Sequence, residues 1–420
     1  MLHLKNTVYI DPVEFKMTQT DIFIEEGHRG KIHFTKPADA KITETLDCKG
    51  QYTTKAFAAG HHHIYSALAK GMPAPKKIPE NFNEILQYVW WTLDKSLDAD
   101  SIKASAYTAG IEAAKAGASF IIDHHASPNC IEGSLDIISE ALDELGLGHL
   151  LCYEITDRDG KDKAEAGINE NENNLKKQQG LVGLHASFTV GDESLQKAAE
   201  LMKTYHTGAH IHVAEAEYDE QHCQKHYGMS VVERLHKFGL LDSPKTLIIH
   251  GLHLNNKERE LLKNSPAWVV QNTESNLNNN VGFFKSEGLS KRIMLGTDGM
   301  HGDMLRSAQA AFFAGQPFDN IDFPEAYRRF RNTGQYINEN GFEGYADNNL
   351  VVLDYPTGTP LTEDNFLGHF IFGLRAAHVR HTVSQGKLVV KDRKIKTLNE
   401  DEILAFSQDQ AKKLWAKMVK

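Results

Sequence analysis

Residues 55–63 read KAFAAGHHH, an apolar run that stops in three consecutive histidines. On a β-strand, residues two apart share a face, so His61 and His63 point together while His62 points away. One such pair says little, because the same spacing recurs at His210 and His212. The fold is decided by seven more short apolar runs downstream: ASFIID (118–123), GHLLCYE (148–154), GLVGLHA (180–186), AHIHVAE (209–215), KTLIIHG (245–251), AWVVQN (267–272) and RIMLGTD (292–298). Helix-patterned segments separate most of them, among them GSLDIISEALDEL (133–145), DESLQKAAELMKTY (192–205) and SVVERLHKF (230–238). Eight strands alternating with helices over roughly 250 residues predict a (β/α)8 barrel, with a doubly wound open sheet as the structural alternative.

In a parallel β/α barrel, chemistry sits where strands end and loops begin. Those positions are polar here. The first strand ends in His61 and His63, the second in Asp123, His124 and His125, the third in Glu154 and the fourth in His185. The fifth ends in His212 followed by Glu215, the sixth in His250, the seventh in Asn272 and the eighth in Asp298. Imidazoles and carboxylates gathered at one mouth are the donor set of an open, catalytic divalent-metal site, zinc first and iron second.

Outside this core, HLKNTVYI, DIFIEE and GKIHFT within residues 1–55 are β-patterned, and so are NNLVVLDY, VRHTVSQG and KLVVKDRKI after residue 344. The two ends are expected to build one small β-sandwich, residues 1–55 with 345–420, around a barrel at 56–344. A terminal helix is expected over DEILAFSQDQAKKLWAKMVK. The asparagine-rich stretch NTESNLNNNVG at 272–282 reads as a loop.

The net charge of −10 and pI near 6.1 disfavour a nucleic-acid partner. Four scattered cysteines without CxxC spacing indicate neither a disulfide framework nor a thiolate zinc site and suit a cytoplasmic protein. No signal-peptide pattern or membrane-length apolar run is present in the sequence.

The motifs HHHIYSALAKG (61–71), GLHASFTV (183–190), HIHVAE (210–215), IIHGLHL (248–254), ESNLNNNVG (274–282) and LGTDG (295–299) together resemble the amidohydrolase superfamily, in its cytosine deaminase-like (ATZ/TRZ) aminohydrolase branch. WWTLDKSLD, IIDHHASP and YEITDRDG resemble the SsnA-type aminohydrolases associated with bacterial purine catabolism, and the DHH element resembles that of 8-oxoguanine deaminases. The resemblance implies His61, His63, His212 and Asp298 as ligands of one divalent metal, with His250 beside it as a further ligand or orienting residue. It implies Glu215 as proton shuttle, with His250 and Asp298 also catalytic, and His185 as a substrate contact. His124, Glu154, Arg158 and Trp90 are further candidates for substrate binding. A homodimer acting on a small N-heterocycle is the implied setting.

Two departures stand out. Lys55-Ala56 and Ala59 replace the Pro-Gly and asparagine that the family carries before the HxH pair, which predicts altered packing around the first strand with the metal site retained. The fourth strand has no lysine, which argues for a single metal and against ring-opening hydrolysis. The expected reaction is hydrolytic deamination of a purine-like ring. Loss of a halide or alkylamine, or a non-catalytic scaffold, are the alternatives.

Overall fold

All eight apolar runs form parallel strands in the computed structural model, which describes residues 1–419. Phe57–His62, Ala118–His125 and Gly148–Tyr153 make a three-stranded sheet. Val182–Ala186, Ala209–Val213, Leu247–His250, Trp268–Gln271 and Ile293–Leu295 make a five-stranded one. Isolated parallel bridges join the edges of the two sheets: His62 to Asp298 on one side, Leu151 to Gly180 and Ile155 to Leu184 on the other. Every strand residue is buried, as parallel strands covered on both faces require.

Strand alternation divides the apolar residues between two cores. Ala58, Phe120, Ile122, Leu150, Ile249 and Val270 pack with one another. Phe57, Ala59, Ile121 and Leu151 pack outward, with helix residues such as Ile102, Ala106 and Leu142. Gly60 has no room for a side chain, because a Cβ there would come within 2.6 Å of the Leu295 carbonyl oxygen and 2.9 Å of Thr333 Oγ1.

The two chain ends meet in one sheet. Leu2–Ile10 pairs antiparallel with Met17–Ile24 and parallel with Tyr52–Lys55, and Tyr52–Lys55 pairs antiparallel with Leu350–Leu353. Val379–Ser384, Lys387–Lys391 and Lys394–Ile395 extend the same sheet. Hydrogen bonding makes these strands one continuous ladder, and Leu2, Leu4, Ile22, Ile24, Val352 and Val383 share its apolar core. The terminal helix spans Glu400–Met418, capped by Asn399.

The Lys55-Ala56 departure has its own support. Arg331 Nη1 donates to the carbonyls of Lys55 and Ala56 at 3.0 Å each, and the Tyr345 hydroxyl donates to Ala56 O at 2.6 Å. The Lys55 ammonium lies 4.6 Å from the centre of the Tyr345 ring, and burial pushes its pKa down to about 8.

One expectation fails. The asparagine-rich stretch is not a loop throughout, because Thr273–Asn278 is helical. Backbone N–H groups of Asn276 and Asn279 bond to the carbonyls of Asn272 and Ser275, and the helix is held by side chains that reach the barrel mouth. Tertiary contacts override a composition that favours turns.

Candidate metal centre

His61, His63, His212 and Asp298 converge from three strand ends that are far apart in sequence. Their ligand atoms all lie within 4.8 Å of one another, and the four residues are buried. His63 Nε2 is 3.1 Å from His212 Nε2 and 3.0 Å from Asp298 Oδ1, and His61 Nε2 is 3.3 Å from that same oxygen.

The hydrogen bonds behind the ligands fix what the front can hold. His63 Nδ1 faces the carbonyl of His124 at 2.7 Å, and His212 Nδ1 faces the carbonyl of His185 at 2.9 Å. A carbonyl only accepts, so both Nδ1 atoms carry the proton and both neutral Nε2 atoms present lone pairs. Two lone pairs 3.1 Å apart beside a carboxylate oxygen repel unless a cation lies between them, so the donor set fits a divalent metal. Burial opposes charge on His63, but the Asp298 carboxylate outweighs it and raises the His63 pKa. Asp298 itself is held well below the usual carboxylate range by His61 and His63, against the effect of its burial.

The remaining histidines divide by position. His61 Nδ1 pairs with His210 Nε2 at 2.8 Å, so His210 holds the His61 ring from behind. His62 turns away to Thr297 Oγ1 at 2.9 Å, as the strand alternation predicts. His124 is fully buried behind the ligands, where its Nε2 bonds the Leu184 carbonyl at 3.1 Å. It sits within the strand Ala118–His125, with Nδ1 3.7 Å from Oε2 of Glu154, a residue of the cavity wall. His125 bonds Ser127 Oγ at 2.9 Å.

Glu215 and His250 flank the cluster. His250 Nε2 is 3.4 Å from Glu215 Oε2 and 4.0 Å from Asp298 Oδ2, and has no hydrogen-bond partner among the described residues. Burial, with Asp298 nearby, pushes the Glu215 carboxyl well above its usual range. Burial lowers the His250 pKa to about 4. The backbone is left-handed at Ala214, His250 and Asp298, with φ of 47°, 72° and 51°. Non-glycine residues held there typically cost about 1–3 kcal/mol each, and such residues gather at functional sites.

Three residues that the sequence did not single out complete the centre. Asn276 Nδ2 lies 2.8 Å from His250 Nδ1, Ser275 Oγ donates to Asp298 Oδ2, and Asn279 Nδ2 donates to Glu215 Oε1 at 3.5 Å. All three come from the short helix Thr273–Asn278 or its C-terminal cap. Their only signal was the ESNLNNNVG motif itself.

Above the cluster lies a cavity walled by Trp90, Trp91, His185, Glu154 and Arg158. His185 Nδ1 bonds Thr189 Oγ1 at 2.6 Å. No helix among the described residues is long and apolar enough to cross a membrane.

A model described as "Amidohydrolase family" matches residues 56–328. A 5-methylthioadenosine/S-adenosylhomocysteine deaminase of Aquifex aeolicus is 27% identical over 96% of each chain. Among solved structures, a zinc-bound adenosine deaminase from Xanthomonas campestris superposes with a TM-score of 0.83 at 16% identity, covering 98% of both chains. A zinc complex of atrazine chlorohydrolase from Arthrobacter aurescens gives 0.82 at 16% identity, covering 98% of this chain and 100% of that one.

Proposed function

The chain belongs to the amidohydrolase family, and from that premise we propose that it is a metal-dependent hydrolytic deaminase of a purine-like heterocycle, releasing ammonia. The observation that carries this reading is the pair of opposed, bare imidazole nitrogens of His63 and His212 beside Asp298, with the Glu215 carboxyl, pushed well above its usual range by burial, at the edge of the same cluster.

His61, His63, His212 and Asp298 would hold one ion, and zinc is proposed because two solved neighbours carry it. A divalent ion held there would lower the pKa of water from about 16 to roughly 7. Asp298, ionised, offers Oδ2 as the acceptor for a water proton. Glu215, whose carboxyl burial pushes well above its usual range, would deliver a proton to the ring nitrogen beside the reacting carbon; the proton taken up by Asp298 would pass to the departing amine, and the hydroxyl proton of the adduct would return to Glu215 as the carbonyl forms and ammonia leaves. His250, fixed by Asn276, directs its free Nε2 toward the reacting centre and steadies developing charge there. His185 and Trp90 would flank the ring, with Glu154 and Arg158 farther along the wall.

The same reading closes the eight strands into one barrel over 56–344, supported by the bridges at both sheet edges, with 1–55 and 345–420 as one β unit. A cytoplasmic setting fits the four free cysteines, and a homodimer fits the general prevalence of two-fold oligomers. Ammonia release from a panel of aminopurines by zinc-loaded protein tests the central claim. Silence across the panel, with loss of halide or alkylamine from chloro- or alkylamino-substituted N-heterocycles instead, would overturn it.

A further inference from the structure

A second polar cluster lies on the cavity wall and takes no part in the chemistry at the metal. The Arg158 side chain, 8% exposed, stands among three carboxylates. Its Nη2 bonds Asp94 Oδ2, its Nε donates to Asp159 Oδ2 at 3.0 Å, and its Nη1 lies 3.1 Å from Glu154 Oε1 but off the donor direction. Lys95 Nζ meets the other side of Asp159 at 2.8 Å. With every group ionised, three carboxylates face two cations, so the wall is negative on balance.

Two of its oxygens accept no hydrogen bond among the described residues, Asp94 Oδ1 and Glu154 Oε1, the second being ion-paired with Arg158 without one. Asp94 is 1% exposed and Glu154 4%, and both line the cavity. Buried carboxylate oxygens are ordinarily satisfied, so two such atoms on one cavity wall call for donors from a ligand. Asp94 is delivered by the segment that covers the cavity: a wide π-type turn at Leu86–Trp90 runs into the helix Trp91–Ser96, and the Arg158 guanidinium carbon sits 4.8 Å from the Trp91 ring centre. π-turns of this kind recur at functional sites.

We propose that Asp94 and Glu154 are the specificity-determining pair of this pocket, receiving two neutral hydrogen-bond donors from the part of the substrate remote from the departing amine and rejecting an anionic group there. The inference rests on the deaminase reading for the orientation of the ring. The donors are either ring N–H groups or the hydroxyls of an attached sugar.

The test is calorimetric titration of zinc-loaded protein with ligands that lack an exocyclic amine, so that no turnover intervenes. Burial raises the Asp94 carboxyl to about 6 and that of Glu154 to about 7, which sets the assay above neutrality. Inosine against 2′,3′-dideoxyinosine reads the hydroxyl source, 6,8-dioxopurine against hypoxanthine reads the ring N–H source, and inosine 5′-phosphate reads the anion. In at least one pair the donor-bearing member is expected to bind about 10-fold or more tighter, the phosphate about 10-fold weaker than inosine, and Asp94→Asn or Glu154→Gln to erase most of the pairwise difference. Wild-type protein that treats both members of each pair alike, or accepts the phosphate as readily as inosine, overturns the proposal without recourse to variants. If ammonia release persists in that case, the deaminase reading stands and only the specificity pair falls. Protein that binds none of the five ligands overturns both.

Discussion

His62 and His63 are adjacent in sequence and opposite in duty. One bonds Thr297 behind the strand, the other offers its Nε2 to the metal cluster. His63→Asn is therefore expected to abolish stoichiometric zinc binding, while His62→Asn retains the metal and loses thermal stability. Elemental analysis of the purified variants checks this, and equal metal loss in both would refute the division. Glu215→Gln should keep the metal and lower kcat by about 10²- to 10⁴-fold, the range of a general acid–base contribution. Asn276→Ala should release the His250 ring and cost about 10- to 100-fold in activity with the metal still bound, as second-layer partners of metal sites typically do. That polar residues stand at the strand ends was legible in the sequence, because strand alternation and strand ends are local properties, whereas their division into candidate ligands came from the family resemblance. Ser275, Asn276 and Asp94 were not legible, since their roles depend on which remote atoms their short helices meet.

At the scale of elements, all eight strands could be located because each is an apolar run interrupted by a polar stop. Glu44–Asp47 escaped because it is a half-exposed edge segment with no such run. The close approach at Gly60 makes a specific demand on the first strand. Gly60→Ala would drive a methyl against the Leu295 carbonyl and should destabilise the protein by about 1–3 kcal/mol, measured by chemical denaturation. Another element contact carries pH dependence. Glu220, on Glu217–Tyr227, lies against Glu258 on Asn256–Asn264, and burial together with Glu258 raises its pKa from 4.5 to about 9. The folded state thus binds a proton that the unfolded chain releases, and stability falls as pH rises from about 4.5 to 9. Glu220→Gln should flatten that decline in Tm, whereas an unchanged slope would place the titration elsewhere.

For the molecule as a whole, a metal held by His61, His63, His212 and Asp298 would tie together the ends of the first, fifth and eighth strands of the parallel set. Chelation should lower Tm, and zinc restored at 100 times its Kd should return about 2.7 kcal/mol of stability by mass action, read by calorimetry. The joining of the chain ends has a consequence in time. Tyr52–Lys55 hydrogen-bonds on one side to Leu2–Ile10, which is already made, and on the other to Leu350–Leu353, some 300 residues later. At roughly 5–20 residues per second on the ribosome, that edge waits about 15–60 s for its partner. Throughout synthesis of the barrel the nascent chain carries an open strand edge, a natural target for a chaperone and the point at which translation arrest would leave the protein most prone to aggregate.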